Sequence, residues 1–188
     1  MLARRSLLSL LAACLAACAS SASHQPFERL DEDTGMTVSG LGRPLEFVES
    51  GLLSINKHAS FAYLGPVEWD RMGQISYGLW LHIAPGNDRP VASIDAPSAV
   101  SLTLDDGDLV LERMTPPKLG KEAYAALVPW GQTAYFQASP AMLRRIAASD
   151  QLLVRCRGED GTAVEFKPDQ ASKPVLATFL QARGITAD

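Results

Sequence analysis

From residue 75 to residue 83 every second side chain is apolar: Ile75, Tyr77, Leu79, Leu81 and Ile83 fall on odd positions without a break. A period of two marks a strand with one buried face, because successive side chains of a pleated strand point to opposite sides. Ser76, Gly78, Trp80 and His82 then make up the second face. Upstream, Phe61 and Tyr63 alternate in the same way. Pro66 in the middle of that run predicts a bulge or an edge, since proline has no amide hydrogen for a ladder. The connecting DRMGQ is short enough to join the two runs as a hairpin.

Further extended runs are PSAVSLTL and DLVLERM, which flank the turn Asp105-Asp106-Gly107-Asp108, and TAYFQA. MTVSGL and PLEFVE are weaker candidates. The C-terminal part changes period. Ser139 followed by Pro140 is a helix start: the hydroxyl caps, and proline occupies the first turn, where its missing N–H costs nothing. Leu143, Ile146 and Ala147 share one face of that helix, with Arg144 and Arg145 turned away. QLLVRCR and AVEFK then alternate around Glu159-Asp160-Gly161 as a second hairpin. A last helix, from about Ser172 to Arg183, sets Leu176, Phe179 and Leu180 inward and stops at Gly184. The expected fold is therefore α+β, mainly antiparallel β, as a sandwich-like or strongly curved sheet with a C-terminal helix–hairpin–helix segment.

The beginning of the chain has a different pattern. Met-Leu-Ala-Arg-Arg is positive, and an apolar run of about 12 residues follows, within the length of a secretory h-region and short of the ~20 that span a bilayer. The run ends in LAACLAAC, two consecutive copies of Leu-Ala-Ala-Cys at Cys14 and Cys18. This motif resembles the lipobox of bacterial lipoproteins. The resemblance implies cleavage before the cysteine, a diacylglyceryl thioether on its sulfur and acylation of its new amino group. Cleavage before Cys18 uses the full apolar run, whereas cleavage before Cys14 leaves about eight apolar residues, near the lower limit. Cys18 is also followed by Ala19-Ser20-Ser21-Ala22-Ser23, the composition of a flexible tether. The expected organisation is a signal peptide over 1–17, a lipidated cysteine and tether over 18–26, and one β-rich domain over 27–188. Ala19 after the cysteine implies, by the sorting pattern of such lipoproteins, an outer-membrane protein facing the periplasm. Arg4-Arg5-Ser6-Leu7-Leu8 also resembles a twin-arginine export signal, though Ala3 and Ser9 depart from it. Within the body, YLGPVEWDRMGQISYGLWL is similar to uncharacterised proteobacterial lipoproteins, a resemblance that implies no activity.

Charge narrows the partners. The chain has 17 basic and 21 acidic residues, a net charge of −4, and the signal removes Arg4 and Arg5 but no acid. An acidic body argues against nucleic acid and against a polybasic membrane patch. Of three cysteines, Cys14 leaves with the signal and Cys18 is lipidated, so Cys156 has no disulfide partner; it alternates with Leu152 and Val154 as a buried thiol would. The three histidines His24, His58 and His82 are scattered, with no zinc-site spacing, and no nucleophile elbow or phosphate-binding glycine loop occurs. No cofactor or metal is expected. Asp31-Glu32-Asp33 and Asp105-Asp106-Gly107-Asp108 lack the rest of a calcium loop.

Two sites stand out. Trp80 and His82, side by side on the even face, form a recognition patch for a partner if that face is open, and ordinary core if a second layer covers it. Glu68 and Asp70, two apart on a strand, share a face and are candidates for acid–base work on glycosides, or a solvated strand face. Trp69 and Trp130 fit core and surface equally. The leading expectation is a membrane-anchored, non-catalytic binding or structural module with a periplasmic partner. The alternative is a small envelope hydrolase with a dispersed carboxylate site. An open Trp80/His82 face favours the first, and a cleft where acids converge on a histidine favours the second.

Overall fold

The computed structural model describes residues 24–50, 59–86, 93–94, 99–157, 161–169 and 171–185. The signal segment, Cys14, Cys18, the tether up to residue 23 and His58 lie outside them. Among these residues eleven strands form one antiparallel sheet, strongly curled into a half-barrel, with two helices packed against it. The strands are β1 (Pro26–Asp31), β2 (Met36–Leu41), β3 (Leu45–Glu49), β4 (Phe61–Arg71), β5 (Gln74–Ala84), β6 (Val100–Leu104), β7 (Gly107–Val110), β8 (Arg113–Met114), β9 (Gln132–Ala138), β10 (Leu152–Arg157) and β11 (Ala163–Pro168). The helices are α1 (Pro140–Ala148) and α2 (Ser172–Ala182). The path through the sheet runs β7-β6-β10-β11-β3-β4-β5-β9-β8, and β1 and β2 attach beside it through β4.

The β4–β5 hairpin is the spine of the sheet, 11 residues in each strand. Its turn residues Met72 and Gly73 both have positive φ, +56° and +85°, the backbone of a two-residue turn whose twist matches that of the strands. Asp70 Oδ1 accepts the Gly73 amide at 2.7 Å and closes the turn. The outer edge of β4 changes partner along its length: residues 61–64 pair with β3 and residues 67–70 with β2. Gly65 and Pro66 fall at the seam, where a missing amide hydrogen interrupts neither ladder. The break expected at Pro66 is thus a change of partner.

Parity along these strands separates two cores. On one face Leu64, Leu79, Leu81, Ile83 and Phe136 meet Leu102 from β6 and Phe166 from β11 in a single cluster, which strands so far apart in order reach because the sheet curls. The helices close this core. Ser139 caps α1 by accepting the Met142 amide at 3.1 Å, and Leu143, Ile146 and Ala147 face inward. α2 contributes Leu176 and Phe179. It ends with the Ile185 amide on the Leu180 carbonyl and the Gly184 amide on the Gln181 carbonyl, Gly184 taking φ +65°. That is a Schellman stop with a glycine at the left-handed position. Burying Leu, Ile and Phe side chains here contributes about 1.5–3 kcal/mol apiece, the main term holding the curl.

The second core lies on the opposite face of β1, β2, β4, β5 and β9. It holds Met36, Val38, Val67, Trp69, Trp80, Tyr124 and Tyr135. Tyr124 comes from residues 115–131, a stretch without helix or strand that lies across this face as a strap.

Candidate functional site

The strap is held by side chains whose positions are fixed by strand parity. Asp31, at the end of β1, accepts the Thr34 hydroxyl (2.8 Å) and amide (3.1 Å) with Oδ1, and the Gly120 and Lys121 amides (2.9 and 3.3 Å) with Oδ2. These donors, the Thr34 hydroxyl foremost, hold its carboxyl below the usual aspartate range. Arg29, on the same face, donates to the carbonyls of Lys121 and Glu122 at 2.6 and 2.7 Å. Tyr124 is the key of the strap. Its hydroxyl accepts the Leu41 amide at 2.8 Å and donates to the Pro66 carbonyl at 2.9 Å. Its ring packs against glycine: a Cβ at Gly65 would stand 2.5 Å from Cε2 and Cζ, and one at Gly40 would stand 2.8 Å from the hydroxyl. Gly78 accommodates the Trp69 ring in the same way. The second core is therefore made of rings seated in slots that glycine leaves open.

Trp80 and His82 belong to this core, and the open patch considered for them is closed. They are 1% and 0% exposed, stacked at 5.7 Å with 13° between their planes. Tyr124 covers Trp80 at 5.1 Å, and Gly131 presses on the His82 ring, where a Cβ would stand 2.3 Å from Cε1. The covering layer is the strap, neither a second sheet nor a helix. His82 Nδ1 bonds Thr133 Oγ1 at 2.8 Å, and Nε2 is buried with no hydrogen-bond partner. Burial pushes its pKa below the ordinary 6.5 and so favours the neutral ring.

Glu68 and Asp70 share the other face, as their spacing requires, and the sheet stands between them and His82. Their surroundings differ. Asp70 caps the hairpin turn. Glu68 is buried in a cross-strand row, Glu28–Ser39–Glu68–Tyr77, running over β1, β2, β4 and β5. Arg183, the residue that ends α2, closes this row. Its Nη1 lies 2.5 Å from Glu28 Oε2, 2.8 Å from Ser39 Oγ and 3.5 Å from Glu68 Oε1. Burial, with the Glu68 charge and hydrogen bond added, pushes the Tyr77 hydroxyl up to about 12. The arrangement docks a helix on a sheet: Glu28 and Glu68 meet at the Arg183 guanidinium, and Asp70 stands apart at the turn. Cys156 is buried, and burial, with Glu49 nearby, pushes its thiol up to about 12, which leaves it unreactive. Among the described residues no group of three or more His, Cys, Asp and Glu is placed to hold a metal, and no helix is long and apolar enough to cross a membrane.

Both ends of the sheet carry exposed apolar side chains. At the hairpin end, the next cross-strand row outward is Leu30–Thr37–Asp70–Ile75. It lies one step beyond the Arg183 contact, and Leu30 and Ile75 are 62% and 53% exposed. Ile75 thus continues the apolar period of β5 past the core. Met72 at the tip is 97% exposed and holds a left-handed backbone that strains a non-glycine residue. At the opposite end the chain enters the sheet. His24 Nδ1 bonds the Arg43 carbonyl at 3.2 Å, and the Gln25 carbonyl accepts the Gly42 amide at 2.8 Å. A groove of about 260 Å³ lies there, lined by His24, Arg43, Glu46, Tyr63, Leu127 and Asp169 among others. Of the tryptophans, Trp69 is core and Trp130, near this end, is 67% exposed.

Sequence reasoning did not find Arg183, Tyr124, Met72 or Leu127. Met72 had only an indirect signal: a two-residue loop closing the hairpin at Met-Gly would be a primed turn with positive φ at both positions. Arg183 and Tyr124 had none: their contacts with Ser39 and Leu41 join residues 144 and 83 positions apart. No protein-family model, curated protein or solved structure matches this chain.

Proposed function

We propose that the protein is a lipid-anchored envelope module, tethered through Cys18, which holds a non-catalytic binding surface away from the bilayer toward a periplasmic protein. One geometric observation carries the reading: the chain enters at one end of the sheet, and the exposed apolar side chains Leu30, Met72 and Ile75 lie at the other. From Leu64, level with that end, to Met72 is eight strand residues, about 26 Å at the rise of a β-strand. A body tethered beside His24 presents Leu30, Met72 and Ile75 outward. Strain at an exposed methionine supports recognition there, because strained positions gather at binding sites. We read Pro140 to Ala182 as one helix–hairpin–helix unit that closes the larger core behind this surface.

The lipid is tested by intact mass of the mature protein, whose first residue should be Cys18 carrying diacylglycerol; a bare Ala19 start refutes it. The surface is tested by a photoreactive residue at position 72 in intact cells. It should give one crosslinked periplasmic protein that Leu30→Glu abolishes, while the same probe at the exposed position 177 gives none. An equal yield from both positions, or no product from position 72, refutes the surface.

A further inference from the structure

We propose that the strap also rests on the bilayer: Leu127 and Trp130 dock on the lipid surface beside the anchor, so that the body stands in one orientation and does not swing on its tether. This rests on the reading that Cys18 is lipidated. Tyr124, Trp69 and Trp80 show that apolar rings of this region can be buried, yet Trp130 and Leu127 are 67% and 51% exposed. They project from a turn in which the Gly131 amide meets the Val128 carbonyl at 3.3 Å.

Their place is set by two contacts. Leu127 lines the same groove as His24, the first described residue of the chain. Gly131 lies against His82, whose cross-strand partner Tyr63 lines that groove as well. The strap tip and the tether root therefore share one end of the sheet. Six residue-to-residue steps lead from Cys18 to His24, a reach of about 20 Å fully extended and ~13 Å as a coil. A lipidated Cys18 holds this end within that distance of the headgroups, close enough for strap and membrane to touch.

The chemistry suits an interface. Tryptophan and tyrosine settle at headgroup level, apolar body inward and polar edge toward water. Around them Arg43 stands beside Glu46 and Asp169, so the end carries both signs of charge. Docking should accordingly come from apolar contact and depend little on lipid charge.

Trp130 reports on its own docking, because Trp69 and Trp80 are shielded inside the body. The mature protein, purified from membranes and checked by intact mass, is reconstituted into phosphatidylethanolamine–phosphatidylglycerol vesicles with plain or shallow-brominated acyl chains. Bromine should quench most of the Trp130 emission, Trp130→Phe should remove the quenchable component, and Leu127→Glu should cut the quenching severalfold without changing the near-ultraviolet circular dichroism of the buried rings. Protein that carries the lipid mass at Cys18, stays with the vesicles and emits equally in both lipids overturns the docking and leaves the anchor standing, as would a Trp130 shielded by a bound protein and not by lipid. A mature mass without lipid overturns both.

Discussion

Replacing Gly65 with alanine tests whether the second core depends on glycine slots. Gly65 has no positive φ, so alanine can adopt its backbone and the effect is one of space. The new Cβ would stand 2.5 Å from Tyr124 Cε2 and Cζ, where ordinary contact begins near 3.4 Å. The ring must retreat by roughly 1 Å to restore that separation. Its hydroxyl sits 2.8 Å from the Leu41 amide and 2.9 Å from the Pro66 carbonyl, and that retreat breaks both bonds. Two buried hydrogen bonds contribute about 1 kcal/mol each, and a dry Leu41 N–H costs about 1–3 kcal/mol. Alanine in place of glycine within a strand returns about 0.5–1 kcal/mol. The net expectation is a loss of about 2–4 kcal/mol, a large part of the 5–15 kcal/mol typical of a domain. The assay is urea denaturation followed by tryptophan fluorescence, in wild-type and Tyr124→Leu backgrounds. Leucine lacks the atoms that would meet the Cβ, so there Gly65→Ala should be neutral or stabilising by about 0.5 kcal/mol. A Gly65→Ala cost equal in both backgrounds within ~0.5 kcal/mol refutes the slot.

Arg183→Gln removes the cation from the Glu28–Ser39–Glu68 row and leaves Glu68 buried; we expect a loss of about 2–3 kcal/mol by the same assay, partly recovered by Glu68→Gln. Because burial holds His82 below 6.5, the unfolded chain binds a proton there that the folded chain refuses. Its contribution to stability is complete above pH 6.5 and declines as pH falls below it, so unfolding midpoints at pH 7.5 and 5.5 should differ less in His82→Gln. The Cys156 thiol should resist iodoacetamide in the native protein and react once denatured, which peptide mass spectrometry reads directly. Met72→Asn relieves a left-handed methionine in favour of the Asn-Gly pair this turn prefers, and the melting temperature should rise with about 0.5–1 kcal/mol of added stability.

The alternation from Ile75 to Ile83 identified β5, and the Asp-Asp-Gly-Asp turn, the Ser139 cap and the Gly184 stop lie where local chemistry placed them. These features depend on neighbours in the chain. The sheltering of Trp80 and His82 depends instead on a strap with no period of its own, docked by Asp31, Arg29 and Tyr124 across some ninety positions. Period-two reasoning recognises one buried face and cannot announce a cover without regular structure. Gly40, Gly65 and Gly78 stand within strands and admit aromatic rings, a role that no period of the sequence marks. Parity along β4 did show that Glu68 and Asp70 share a face; that His82 lies behind the sheet required the pairing of β4 with β5.

The attachment of β1 has a mechanical consequence. β1 is an edge strand, joined to β2 through six residue pairs from Pro26↔Leu41 to Asp31↔Met36, and the chain enters it at the Pro26 end. A pull between that end and the β4–β5 tip acts along the strand axis. It loads the whole ladder in shear, so its hydrogen bonds share the force and yield together, whereas a pull across the sheet would peel them one at a time. The fold presents its strongest direction to tension along its length.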